Sequence, residues 1–180
     1  MEYHTMSSKL FQPLKIGHVQ LQHRVVMAPL TRLRADKDHV QLPMTVEYYT
    51  QRASTPGTLI IGEACLISPR GGGAPHMPGI YTQEQIHSWR KITDAVHDNG
   101  CLIFCQLVAL GRAADLPTIT AEGFPFASSS AVSMEEGAPV PIELTEKEIW
   151  AFVADFAQAS KNAIEAGFDG VEVHGANGKT

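Results

Sequence analysis

No stretch of the sequence gathers lysine and arginine into a run, and nineteen acidic residues against fourteen basic ones give a formal charge of -5. A chain so balanced has nothing with which to track a phosphate backbone, so nucleic acid is excluded as an expected partner. Equally absent is any run of about 18 apolar residues, the length that crosses a bilayer. The amino terminus, MEYHTMSSKLFQPLKIG, lacks the basic start, apolar stretch and small-residue cleavage site of a secretory signal. These absences predict a soluble, cytoplasmic protein with no membrane partner. Cysteine is scarce and odd in number: Cys65, Cys101 and Cys105 lie in apolar surroundings with no histidine spaced to complete a zinc site. Buried free thiols and no metal are expected.

What is present is an ordinary globular composition, 44% hydrophobic and 18% charged over 180 residues. LKIGHVQLQ alternates around Gly17-His18 and predicts a short hairpin, a lid or plug outside the core. RVVMAPL, residues 24–30, is a continuous apolar run suited to a strand buried on both faces. A helix opening at Pro43 follows, with Val46 and Tyr49 on one face. The second strand lies in TLIIGEACLI, and SPRGGGAPHMPG after it is a glycine- and proline-rich loop of the kind that sits over a site.

Thr82 and Gln85 form a capping box for a helix with Ile86, Trp89, Ile92 and Val96 on one stripe and Asn99-Gly100 at its end. CLIFCQLVAL is the third strand. A long excursion over 111–143 then predicts a functional or partly structured insertion. Thr145 and Glu148 cap a last helix, whose face is read as Ile149, Phe152, Val153, Phe156, Ala163 and Ile164, and FDGVEVHG is the fourth strand.

Strand and helix alternate without internal repeat or linker, which means parallel strands with crossover helices. MAPLTRLRA after the first strand replaces the glycine fingerprint of a doubly wound nucleotide-binding sheet, so the expected fold class is α/β of the TIM (β/α)8-barrel type. Only four strands and three helices are present: a half barrel with an amino-terminal hairpin, residues 1–180 forming one domain half and 1–9 a flexible tail. Two open strand edges invite self-association or pairing with a second half.

In such barrels the reactive groups collect at the carboxyl ends of the strands. Those ends offer Pro29, Leu30 and Thr31; Gly62, Glu63 and Ala64; Gln106; and His174 with Asn177. Each alone has a structural reading. Thr31 suits a cap, Gln106 a bond to loop backbone, His174 a hydrogen-bonded structural role, and Glu63 a pairing with an arginine inside the barrel. Their convergence on one rim is the functional argument.

The blocks RVVMAPLTRLRA, EYYTQRAS, GTLIIGEACLISPRGGG, PGIYTQEQIHSWRKITDAVHDNG, CQLVALGRAA and AIEAGFDGVEVHGANG, in this order, resemble the Old Yellow Enzyme family of flavin-dependent ene-reductases, over its amino-terminal half. The resemblance implies FMN on top of the barrel, NADPH or NADH as hydride donor, and reduction of the C=C bond of an enone or enal, with secondary metabolism as a setting. It implies that the backbone of Pro29 and Leu30 and the side chain of Thr31 meet the flavin, that Ala64 stands where many members carry glycine, and that Gln106 bonds the pyrimidine edge. His174 and Asn177 resemble the pair that grips the substrate's carbonyl oxygen. Lys179 occupies the position of the usual tyrosine proton donor and is a different acid, charged and flexible. The phosphate-binding loops of strands seven and eight have no counterpart. The alternatives are a truncated, catalytically impaired half barrel or interaction module that binds no flavin, and a redox-neutral isomerase. Loops 68–80 and 111–144 would shape the substrate pocket.

Overall fold

A computed structural model of the chain describes residues 8–178; Lys179 and residues 1–7 of the expected tail lie outside the described residues. Ser8 caps a single 3-10 turn, Lys9–Phe11. The hairpin follows as expected, with β1 (Leu14–Ile16) antiparallel to β2 (Val19–Leu21) and Gly17 at φ +57 in the turn.

The central sheet has four strands, β3 (Val26–Met27), β4 (Leu59–Leu66), β5 (Leu102–Val108) and later β8 (Gly170–Val173), all parallel and neighbours in that order. Three long crossover helices cover one face: α1 (Met44–Arg52), α2 (Gln83–Asp98) and α4 (Glu146–Glu165). Both long capping boxes are made in full, Thr82 with Gln85 and Thr145 with Glu148, so each helix satisfies its first amides from its own sequence. Trp89 is the centre of the helix-covered core, with Tyr49 at 5.9 Å and Phe168 at 5.2 Å between ring centroids. Cys65, Cys101 and Cys105 are free thiols buried in that same core.

β4 carries one residue more than its neighbour. Ile61 pairs with Phe104 and Ala64 with Gln106, so three steps along β4 match two along β5. Such a bulge changes which face the following residues present.

The excursion over 111–143 is partly ordered by its own elements: a 3-10 turn at Gly111–Ala113, the short helix α3 (Leu116–Ala121), and a two-stranded parallel pair of β6 (Ala127–Ser128) and β7 (Ile142–Glu143).

Two expectations need correction. The first strand is two residues long rather than seven, and Val25 and Val26 are 45% and 38% exposed. Burial on both faces needs a packed layer on each, whereas among the described residues the helices cover one face and β3 bonds to β4 alone. On α4, Ile149, Val153 and Ile164 are exposed. The helix meets the core through the small residues Ala159 and Ala163 and through the partly buried Phe152 and Phe156 of the expected face, and Asn162 donates to the Ile80 carbonyl at 2.8 Å.

Candidate functional site

Four parallel strands end on one rim, and the rim holds a cleft of about 490 Å³. Its walls are Ala28, Pro29 and Thr31 after β3, Gln106 from β5, Glu172 and Val173 from β8, and the turn from His174 to Asn177. The sequence-predicted residues Pro29, Thr31, Gln106, His174 and Asn177 therefore meet in one place. Leu30 and Ala64 are not in the lining: Leu30 is exposed and Ala64 is buried in a cluster with Leu66 and Val108. Ala64, Gln106 and Glu172 are register partners in a row across three strands, which puts Ala64 beside Gln106.

Gln106 takes neither the loop backbone nor a free position. Its Nε2 donates to Glu172 Oε1 at 2.8 Å, fixing the amide and leaving its Oε1 to accept. Glu172 is the lining residue that sequence reasoning passed over. The available signal was a lone acid in the middle of an apolar strand, VEVHG.

His174 extends the ladder of β8, its N–H donating to the Leu107 carbonyl at 2.9 Å. The Ala176 N–H donates to His174 Nδ1 at 3.3 Å. A neutral imidazole that accepts at Nδ1 carries its proton on Nε2, so the ring presents a donor on its other side. Asn177 sits at φ +59, a left-handed conformation that asparagine tolerates better than most residues, and is followed by Gly178 at φ +67. The tight turn brings the imidazole and the Asn177 amide to the same wall.

Glu63 does not pair with an arginine side chain. Its buried carboxylate accepts the backbone N–H of Arg32 at Oε2, 3.0 Å, and Gln41 Nε2 at Oε1, 2.8 Å. Burial raises its pKa, and these two hydrogen bonds, with the Arg32 charge, oppose the rise. The Arg32 guanidinium instead lies 5.5 Å from the centre of the Tyr48 ring.

The set suits the edge of a flat heteroaromatic ring: the Thr31 hydroxyl, the Asn177 amide and an imidazole N–H as donors, with the Gln106 Oε1 as acceptor. Among the described residues, no lysine or arginine lines the cleft.

A four-stranded parallel half barrel whose carboxyl rim gathers hydrogen-bonding groups around one cleft defines the α/β class of the TIM-barrel type. The chain belongs to the NADH:flavin oxidoreductase / NADH oxidase family, whose pattern matches residues 9–179. It is 58% identical over 173 residues to the NADP-dependent oxidoreductase lnbE of Aspergillus flavus, covering 96% of this chain and 46% of that protein. It is 53% identical to the probable inactive reductase easA of Epichloe festucae var. lolii, again over 96% of this chain and 46% of that one. The crystal structure of the Old Yellow Enzyme from a Pichia species superposes with a TM-score of 0.89 at 39% identity, over 95% of this chain and 47% of the other. The chain thus spans about half the length of the curated relatives it matches. Among the described residues no helix is long and apolar enough to cross a membrane.

Proposed function

We propose that this half barrel supplies the substrate-gripping side of an FMN-dependent, NAD(P)H-linked reductase acting on the C=C bond of α,β-unsaturated carbonyl compounds. The observation that carries the reading is the placement of His174, whose Nδ1 accepts the Ala176 N–H, beside Asn177 on one cleft. Two donors, the imidazole Nε2–H and the Asn177 amide, meet on the wall of one cleft with Gln106 and Thr31.

FMN bound at the rim would supply hydride chemistry to the substrate. Thr31 would donate its hydroxyl to a ring carbonyl, and Gln106, held by Glu172, would meet the ring's pyrimidine edge. His174 and Asn177 would hold the substrate's carbonyl oxygen and draw electron density from the β-carbon, an electrostatic contribution made before the reaction begins. Lys179 is the proposed proton donor by position. NADPH is supported as the reductant by the NADP-dependent relative. The open edges at β3 and β8 favour self-association or a complementary half from another chain.

A second reading, a half barrel that binds no flavin, is favoured by the absence of any lysine or arginine from the cleft lining among the described residues. One experiment separates them. The purified chain is titrated with FMN and followed by flavin fluorescence, then given NADPH and an enal or cyclic enone. Saturable quenching and stoichiometric NADPH consumption support the reductase. Flavin that stays free at all concentrations rejects it, and enone isomerisation without NADPH consumption identifies a redox-neutral variant.

A further inference from the structure

We propose that Glu63 is a positioning residue, which clamps the Thr31-Arg32 segment against the rim and so sets where the Thr31 hydroxyl stands in the cleft. The inference rests on the flavin reading for its consequence, but its geometry is independent of any ligand.

Three observations support it. First, the carboxylate is 1% exposed, and removing a charge from water in this way is unfavourable unless its oxygens are occupied. Both are: Oε2 takes the Arg32 N–H and Oε1 takes Gln41 Nε2. Second, the segment being held has little else to hold it. Residues 28–34 belong to no helix or strand, and Thr31 and Arg32 are exposed. The amide caught by Glu63 is thirty-one residues away in sequence and immediately follows Thr31, which lines the cleft. Third, the clamp is itself fixed. The Glu63 N–H donates to the Tyr49 hydroxyl at 2.9 Å, and Tyr49 is buried against Trp89 in the core. The bulge in β4 falls between Ile61 and Ala64, at this residue, which turns its side chain toward the loop while Ala64 stays in the row with Gln106.

The chain of contacts therefore runs from core to rim: Trp89, Tyr49, Glu63, Arg32 N–H, Thr31. A carboxylate that held Arg32 by its guanidinium would leave the backbone free to move. A bond to the backbone fixes the φ and ψ that place the neighbouring hydroxyl.

A second detail makes a conservative variant informative. Gln41 Oε1 is buried and has no hydrogen-bond partner. In Glu63→Gln the new amide keeps one oxygen for the Arg32 N–H, and its Nε2 can donate to Gln41 Oε1 once the Gln41 amide turns over. Glu63→Gln should therefore preserve the clamp. Glu63→Ala removes it, and Glu63→Asp, one methylene shorter, keeps the charge but withdraws the oxygen from Arg32.

The test is hydrogen exchange at the Arg32 amide in the isotopically labelled chain, read by NMR beside the Leu66 amide, which bonds the Pro78 carbonyl and serves as an internal control. Arg32 exchange should accelerate at least tenfold in Glu63→Ala and Glu63→Asp and stay within about threefold of the parent in Glu63→Gln, with Leu66 unchanged. Where the alanine variant does not fold, the aspartate variant carries the comparison. Equal Arg32 exchange in the parent and in Glu63→Asp would overturn the proposal. So would a Glu63→Gln chain that loses protection as fully as Glu63→Asp.

A second readout concerns the flavin. In FMN titrations, Thr31→Ala should shift the absorbance spectrum of bound FMN in the parent and produce little further shift in the Glu63→Asp background. Full additivity of the two substitutions overturns the link from Glu63 to Thr31. A parent chain that binds no FMN rejects the reductase reading, while the exchange experiment still decides the clamp.

Discussion

Gln106 and Glu172 face each other from adjacent parallel strands, the amide Nε2 donating to the carboxylate Oε1 across 2.8 Å although sixty-six residues separate them in the chain. Glu172→Ala leaves that amide without its charged partner and free to rotate. Because a hydrogen bond to a charged group is worth about 1.5–3 kcal/mol, FMN affinity should fall by roughly tenfold or more while the melting temperature moves little. Fluorescence titration alongside a thermal melt checks both.

Substitution of the proposed carbonyl grip acts on the reaction and not on the reductant. His174→Ala removes the Nε2–H donor, and kcat/KM for an enal should drop by about 10- to 100-fold, the value of one charge-developing hydrogen bond. Stopped-flow measurement of flavin reduction by NADPH should be unchanged. An equal loss in both half-reactions would place His174 outside the substrate's reach.

Gln85 is a fully buried residue that closes three backbone groups at once. Its Oε1 accepts from the Tyr81 and Thr82 amides, and its Nε2 donates to the Asp38 carbonyl. Thr82→Ala loses only a cap, about 1 kcal/mol and a melting shift of roughly 2–4 °C. Gln85→Leu removes three part-buried hydrogen bonds at about 0.5–1.5 kcal/mol each. It should be the more damaging of the two, by roughly 1–3 kcal/mol in urea denaturation.

Glu63 gives stability a pH dependence of unusual sign. A carboxyl whose folded pKa is raised contributes stability that is present below its unfolded pKa and lost as pH climbs through the folded value. The parent should therefore lose stability relative to Glu63→Gln as pH rises above about 4. Paired melts across that range test the sign. A stability difference that does not change with pH would show that the carboxyl has the same affinity for protons folded and unfolded.

Among the described residues β8 pairs with β5 alone, and its Val173 is 62% exposed. The chain should associate with increasing concentration in sedimentation velocity, and Val173→Lys should return it toward monomer, since an edge lysine opposes strand addition. Association unaffected by the lysine would locate the contact elsewhere.

Much of this fold could be read locally. The capping boxes at Thr82 and Thr145 and the stripe Ile86, Trp89, Ile92, Val96 are short-range patterns, and each appears where expected. The rim residues were legible for the same reason: strand ends can be located from one sequence, and Pro29, Thr31, Gln106, His174 and Asn177 meet in one cleft. What escaped depends on neighbours. Among the described residues β3 has one partner, and α4 meets the core through Ala159 and Ala163 with Phe152 and Phe156, a narrower face than its apolar residues suggest. No local pattern reveals that Glu172 answers Gln106, or that Glu63 holds an amide thirty-one residues back.

The additional residue in β4 has a consequence for how the chain tolerates change in length. Before it, Ile60 faces the helices; after it, Cys65 does, and Ala64 stays on the inner row with Gln106. Deleting Gly62 alone would remove the extra residue and leave Ala64 opposite Gln106 and Cys65 facing the helices as before. Glu63 would instead fall opposite Cys105, turned into the apolar helix-covered core and away from the Arg32 amide. The irregularity is what keeps a carboxylate out of that core, so loss of this one glycine should be worse tolerated than most replacements of the residues on either side.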